Sequence, residues 1–297
     1  MTAPMPAPAP DARWAAVIVN FNAGDELARC VASIEHDTSA GTAEIVVVDN
    51  GSTDGSLDTI TSTSAQIVHS PGNIGYARGA NLGIAVTRSA YVAVINPDVE
   101  LDRGAPASMC SALDADPRVG VVAPRIRNID GTDYPSAREV PGAFTSLAHL
   151  VLAPVWPSNP WSRRYRQEHL QPGVARDVDW LSGAAMWFRR DALDDVGGWD
   201  ERYFMFLEDV DLCVRLRAAG WRVRYEPSGG VVHVGGVSRR SRPYRSIVDH
   251  HRSAYRYAAI HWKGVRRLLL PVAAVALTVR GAAICGLGFL KGTRPRR

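Results

Sequence analysis

Five apolar runs punctuate the first 124 residues: "WAAVIVN" (14–20), "EIVVVDN" (44–50), "AQIVHS" (65–70), "YVAVINP" (91–97) and "VGVVAP" (119–124). Each is short, mostly rich in Val or Ile and bounded by turn residues, the pattern of buried strands. Between them lie amphipathic stretches near 25–35, 55–63, 74–88 and 104–115, each opened by Asp, Ser or Gly, which predict helices. The alternation predicts an α/β fold with a mostly parallel sheet and helices on both faces. Residues 125–178 break the pattern. "YPSAREVPGAF" and "APVWPSNPWSRRYRQEHLQPG" are dense in Pro, Trp and Arg without a period, and such side chains on irregular backbone suit a binding surface. "VDWLSGAAMWFRR" (178–190) resumes strand character. After the turn "VGGWDERYF" a helix is predicted from Glu208 to Ala219, stopped by Gly220. "WRVRYEP" and "GVVHVGG" read as two further strands.

The ends differ from this body. "MTAPMPAPAP" is too rich in Pro and Ala to pack, and residues 1–12 are expected to be a disordered lead to a domain over 13–240. The lead lacks the basic start and apolar core of a signal peptide. Residues 241–297 are expected to form a basic helical appendage. From Cys213 onward there are 18 Lys/Arg against two acids, leaving 16 basic and 28 acidic residues in 1–212. A balance of −12 followed by +16 lies beneath the net charge of +4, and it calls for an anionic partner: membrane surface, nucleic acid or a phosphorylated lipid. Near the end an apolar run of about 12 residues is followed by Arg280 and about ten more, each shorter than the roughly 20 needed to span a bilayer. A segment lying in the interface is expected. Cys30, Cys110, Cys213 and Cys285 stand far apart with no C-x-x-C pair, which argues against a zinc knuckle and for isolated thiols.

Chemistry-bearing residues stand at the predicted strand ends. Asn96-Pro97-Asp98 closes the fourth run; all three are turn residues, and Asp98 could equally hold a ligand at the carboxyl edge of a sheet. Asp49 ends the second strand, where a carboxylate can accept from a base or ribose, while Thr53 or Asp54 can cap the next helix. "PGNIGYARGANLG" (71–83) is not the G-x-G-x-x-G of a dinucleotide site. Its small residues could still bring a diphosphate to helix N–H groups, with Arg78 either neutralising a phosphate or solvated. Glu208, Asp209 and Asp211 crowd one helix start. They can offset the macrodipole, Asp211 can pair with Arg215, and a raised pKa would suit a general base.

In series, "VIVNFN", "VVVDNGSTDGS", "GNIGYARGAN", "INPDV", "GGWDERYFMFLEDVDLCVRLRAAGW" and "HVGG" resemble the inverting family 2 glycosyltransferases of the GT-A fold, over about residues 14–236. The central block "YPSAR…APVWPSNPW…YRQE…DWLSGA" is similar to rhamnosyltransferases that extend a polyprenyl-diphosphate-linked GlcNAc. The resemblance implies a divalent metal (Mg²⁺ or Mn²⁺) on Asp98, with Asn96 where the family's D-x-D has its first acid and His233 as a second contact. It implies nucleotide-sugar contacts from Asn22, Asp49, Asn73, Arg78, Asn96 and Asp98. Trp180, Ser182, Gly183 and Arg138 would line the sugar and acceptor pocket, and Arg239 and Arg240 would meet phosphate. Asp209 would be the base and Glu208 would position the acceptor, while Asp211 is expected to be an anchor held by Arg215.

The expected reaction moves L-rhamnose from dTDP-L-rhamnose to GlcNAc-diphospho-polyprenol, in cell-wall linker or polysaccharide synthesis. The expected place is the cytoplasmic face of the membrane, peripherally bound, with no nucleic acid as partner. A UDP-sugar donor with another acceptor is the alternative. Metal-dependent nucleotidyl transfer would need a basic phosphate loop after the first strand, and "VNFNAGDEL" has none. A non-catalytic sugar-binding protein would need its acidic clusters to be merely structural.

Overall fold

The computed structural model describes residues 12–61, 64–140, 173–235 and 243–290, with part of 142–166. The lead through residue 11 and the Arg239–Arg240 pair lie outside the described residues. Three parallel α/β units open the chain: β1 (Trp14–Asn20), α1 (Glu26–Glu35), β2 (Glu44–Asp49), a 3₁₀ turn (Ser56–Thr59), β3 (Gln66–His69), α2 (Tyr76–Ile84) and β4 (Tyr91–Ile95). They are followed by β5 (Val99–Leu101), α3 (Ala105–Ala115), β6 (Val119–Arg127), β7 (Asp133–Tyr134), β8 (Ala137–Arg138) and α4 (Pro160–Arg166). Then come β9 (Arg176–Asp177), β10 (Trp180–Leu181), β11 (Ala185–Arg189), α5 (Arg190–Val196), α6 (Glu208–Ala218) and β12 (Arg222–His233). The chain closes with α7 (Pro243–His261), a 3₁₀ turn (Gly264–Leu269) and α8 (Leu270–Leu290).

The main sheet runs β3-β2-β1-β4-β11-β6-β12-β5, with β7 on β6 and β9 on β12. β1 pairs in parallel with both β2 and β4, so the order reverses at β1 and a crevice opens at the carboxyl ends of these strands. β11 runs antiparallel to β4, with Ala185 opposite Ile95. It therefore starts where β4 ends, which brings residues 182–184 to Asn96–Asp98. The Asn96 N–H donates to the Ala184 carbonyl at 2.8 Å.

Side chains alternate across the sheet. Trp14, Ala16 and Ile18 pack with Leu27 and Ile34 of α1 and Met109 and Leu113 of α3. Val17 and Val19 pack on the other face with Ala77 and Ala80 of α2 and Leu212 and Leu216 of α6. α2 sits close because Gly79 and Gly83 face β1; a Cβ on Gly79 would stand 2.8 Å from Val19 Cγ1.

Four features differ from the sequence expectation. Residues 222–233 form one strand with a bulge between Tyr225 and Gly230, because β6 and β5 give it partners along its length. The stretch 178–190 splits into β10 and β11. The stretch 55–63, expected to be a helix, is only a 3₁₀ turn over Ser56–Thr59. The tail is not two short runs: residues 270–290 are one 21-residue helix, and Gly264–Gly286 is apolar and long enough to cross a membrane by length and composition. Arg280 does not interrupt it, because a side chain at helical spacing can leave an apolar stripe without breaking backbone hydrogen bonds. The cysteines match expectation: Cys30, Cys110 and Cys213 are free and buried, and Cys285 is free and half-buried.

Candidate active site

The carboxyl ends of β1, β2 and β4 open into a cavity of about 830 Å³, near the upper end of the ~300–1,000 Å³ usual for ligand sites. One wall carries Asn50, Asn73, Asn96, Asp98 and His233, and another carries Trp180, Ser182, Gly183, Glu208 and Asp209. Arg138 reaches in with its guanidinium 5.2 Å from the centre of the Trp180 ring. Trp180 faces Arg138 across the short β8–β10 pair, so these two residues, expected in the sugar pocket, are positioned by each other's backbone.

β5 and β12 bring Asp98 and His233 together. His233 pairs with Val99, and the Val234 N–H donates to the Asp98 carbonyl at 3.0 Å. His233 Nε2 then lies 3.2 Å from Asp98 Oδ1 and 3.4 Å from Asn96 Nδ2. Two donors each about 2.1 Å from one cation, at right angles, stand about 3 Å apart, so an oxygen–nitrogen pair at this spacing fits a divalent ion. Among the described residues no group of three or more His, Cys, Asp or Glu gathers at one point. A cation here would take its remaining ligands from phosphate oxygens and water.

The acid pair is mounted on a strained loop. Phe206 (φ 70°) and Leu207 (φ 62°) both adopt left-handed backbone, which costs a bulky residue about 1–3 kcal/mol. The loop is held from two sides. The Tyr76 N–H bonds the Phe204 carbonyl, and Ser253 Oγ of α7 donates to the Met205 carbonyl at 2.8 Å. The Phe206 ring meets His250 edge-on at 5.4 Å.

Asp209 Oδ2 accepts the Gly183 N–H at 2.9 Å, and Oδ1 accepts the Val210 N–H at 2.8 Å. Burial raises its pKa, and these two donors work against that rise. Glu208 is more extreme. Burial, then the charge of Asp209, push it up to about 8, and among the described residues its buried Oε2 has no hydrogen-bond partner. Asp211 points the other way, fully buried, accepting from Arg215 Nε at 2.7 Å and lying 2.7 Å from His261 Nε2. It is the expected anchor, and through His261 it also ties α6 to α7.

Three expected nucleotide contacts lie off the cavity lining. Asn22 spends Oδ1 on the Thr53 N–H at 2.8 Å, and Asp49 accepts the Ser52 N–H at 3.1 Å. Arg78 pairs with Glu201 at 3.0 Å. Asn50 lines the cavity in their place, its amide bridging the Ile74 N–H and the Gly75 carbonyl. Sequence reasoning passed over Asn50 beside Asp49, although both end the same strand. It also missed Tyr76, whose hydroxyl donates to the Gly183 carbonyl at 3.1 Å, and the whole wall from Phe206, Tyr257, Trp262, Ala273, Leu277 and Arg280. The aromatic residues before Glu208 were a signal; the α8 residues gave none.

A mixed sheet with its cavity at the topological switch point, an Asp beside a His and a buried acid pair define a GT-A-like α/β transferase. The model for glycosyl transferase family 2 matches residues 15–197, and that for glycosyl transferase family group 2 matches residues 171–292. This chain belongs to glycosyl transferase family 2 and is a glycosyltransferase. It is 38% identical over 261 residues, 84% of each chain, to the N-acetylglucosaminyl-diphospho-decaprenol L-rhamnosyltransferase of Mycobacterium tuberculosis. A pre-mycofactocin glycosyltransferase of the same organism is 35% identical over 57% of this chain and 32% of its own. Among solved structures, GalNAc-T7 with UDP, GalNAc and Mn²⁺ aligns at TM-score 0.57 and 17% identity, covering 75% of this chain and 44% of that one. S. aureus TarS aligns at TM-score 0.51 and 12% identity, covering 95% and 75%. These two likenesses concern the fold.

Proposed function

We propose that the enzyme transfers L-rhamnose from dTDP-L-rhamnose to GlcNAc-diphospho-polyprenol in one inverting displacement. The observation that carries this reading is the 38% identity to an enzyme of that name over 84% of both chains. In this reading Asp98 and His233 hold a divalent cation, with Asn96 beside them. That cation supplies positive charge to the leaving nucleoside diphosphate. Asn50 and Asn73 flank the nucleotide, with Asp49 and Asn22 shaping the loops behind them. Arg78, engaged by Glu201, fastens α2 instead of meeting phosphate.

Asp209 takes the proton from the acceptor hydroxyl. Its carboxylate is aimed by the Gly183 and Val210 N–H groups, so little freedom is lost in the transition state. Glu208, whose pKa burial and the charge of Asp209 raise, keeps its proton in this reading and donates a hydrogen bond to the acceptor. Trp180, Ser182 and Arg138 wall the sugar.

The protein binds the cytoplasmic face of a membrane peripherally. Ala273 and Leu277 of α8 are buried against the body, and Gly281 lies against His251 of α7. At about 100° per residue, Val272, Val275 and Val279 face away, and Val275 and Val279 are 64% and 63% exposed. A helix docked on one side and apolar on the other suits the interface better than a crossing. Lys263, Arg266 and Arg267 lie exposed beside it for anionic head groups.

The test is a donor screen by nucleoside-diphosphate release with GlcNAc-diphospho-farnesol as acceptor. Turnover with dTDP-L-rhamnose well above every UDP-sugar is expected. Preference for a UDP-sugar would overturn the donor assignment.

A further inference from the structure

The cavity has a second half that the chemistry above does not use. Its lining also includes Phe206 of the loop before α6, Tyr257 of α7, Trp262 just after it, and Ala273 and Leu277 of α8, which give an apolar surface, and Arg280 of α8, a cation. The carboxylates on the lining, Asp98, Glu208 and Asp209, all come from loops at the sheet edge and the start of α6. Arg280 has no ion pair or hydrogen bond among the described residues, and its residue is half-buried. A guanidinium on a cavity wall that is paired with none of the cavity's carboxylates among the described residues is suited to an anion that arrives with the ligand.

We propose that α7 and α8 form the lipid subsite for the acceptor, in which Arg280 binds the acceptor's diphosphate and the apolar wall takes its first isoprene units. This rests on the lipid-linked acceptor of the functional reading. Two arguments favour the acceptor's diphosphate over the donor's. The donor's phosphates belong beside Asp98 and His233, on strands of the sheet, whereas Arg280 stands on the opposing helix. That same helix turns Val272, Val275 and Val279 outward. A helix with its outer face in the acyl boundary sets its inner face at head-group level, where a membrane-anchored diphosphate resides. An acceptor bound this way enters from the bilayer without its chain crossing water.

The experiment is calorimetric titration of the full chain with farnesyl diphosphate, farnesol and inorganic diphosphate, with vesicles of phosphatidylglycerol as a separate arm. Wild type is expected to bind farnesyl diphosphate at least tenfold more tightly than either fragment. Arg280→Gln should weaken that binding tenfold or more, and Arg280→Lys should restore most of it. Ala273→Phe, which fills the apolar wall, should weaken farnesyl diphosphate but not inorganic diphosphate. Unchanged farnesyl diphosphate binding by Arg280→Gln overturns the subsite. So does a loss confined to phosphatidylglycerol vesicles, which would make Arg280 a head-group contact. If Arg280-dependent binding is found but GlcNAc-diphospho-farnesol accepts no sugar, the functional reading falls and the subsite stands. If that acceptor is used and Arg280→Gln leaves its KM unchanged, the subsite falls and the function stands.

Discussion

Asp98 Oδ1 and His233 Nε2 stand 3.2 Å apart although 135 residues separate them in the chain. The antiparallel β5–β12 pair sets that spacing, since His233 pairs with Val99, next to Asp98. If the two share a cation, chelator should abolish transfer and Mg²⁺ or Mn²⁺ should restore it. His233→Ala should raise the metal concentration for half-maximal rate by about tenfold or more. Asp98→Ala should be nearly inactive with an unchanged circular dichroism spectrum. Full activity in excess chelator would remove the metal from the mechanism.

Asp209→Asn preserves shape and removes basicity, so kcat should fall by about 10²–10⁴ with the donor KM almost unmoved. Glu208→Gln should cost less, because a neutral amide can still donate the hydrogen bond assigned to the protonated acid. Steady-state kinetics of the two variants decide the assignment, and normal turnover by Asp209→Asn excludes it as base.

The buried Glu208 also shapes stability. Its folded pKa of about 8 exceeds the ordinary carboxylate value, so the folded state binds the proton more tightly than the unfolded chain does. Its contribution is therefore fully present below the unfolded value and is lost as pH rises towards and through 8. Glu208→Gln has no charge to bury and should gain about 1–3 kcal/mol over wild type at pH 9, and much less at pH 5. Urea unfolding at the two pH values measures this, and an equal effect at both would refute it.

Gly183 leaves little room beside the acid pair. A Cβ there would stand 3.2 Å from Asp209 Cβ and 3.4 Å from its Oδ2. Gly183→Ala should push the carboxylate off the backbone N–H that aims it, lowering kcat about tenfold or more while the protein stays folded. Wild-type kcat in this variant would show that the N–H does not position the base.

On α8, Val275→Glu with Val279→Glu places charge on the face turned from the body. Co-sedimentation with phosphatidylglycerol vesicles should drop several-fold, since each buried apolar side chain contributes about 1.5–3 kcal/mol. Turnover of a detergent-solubilised short-chain acceptor should persist. Unchanged sedimentation would mean that the membrane meets another surface.

The strand pattern was legible because alternation and apolar runs report burial, a local property of each segment. β1 to β4 and β6 lie where the runs predicted, and the candidate acids stand at their exits or at the start of α6. The pairing of Asp211 with Arg215 was legible too, because i,i+4 neighbours on a helix are fixed by its geometry. Tertiary structure alone decided which exits converge. β11 enters the sheet antiparallel and delivers Gly183 to Asp209, and β12 returns beside β5 to deliver His233 to Asp98. No periodicity encodes strand order, which depends on how whole elements pack. Arg280 shows the same limit: in the linear sequence it interrupts an apolar run, whereas on the folded helix it shares a face with Ala273 and Leu277 and lines the cavity. The sequence determined which residues could be buried or charged; packing between distant segments decided which of them meet.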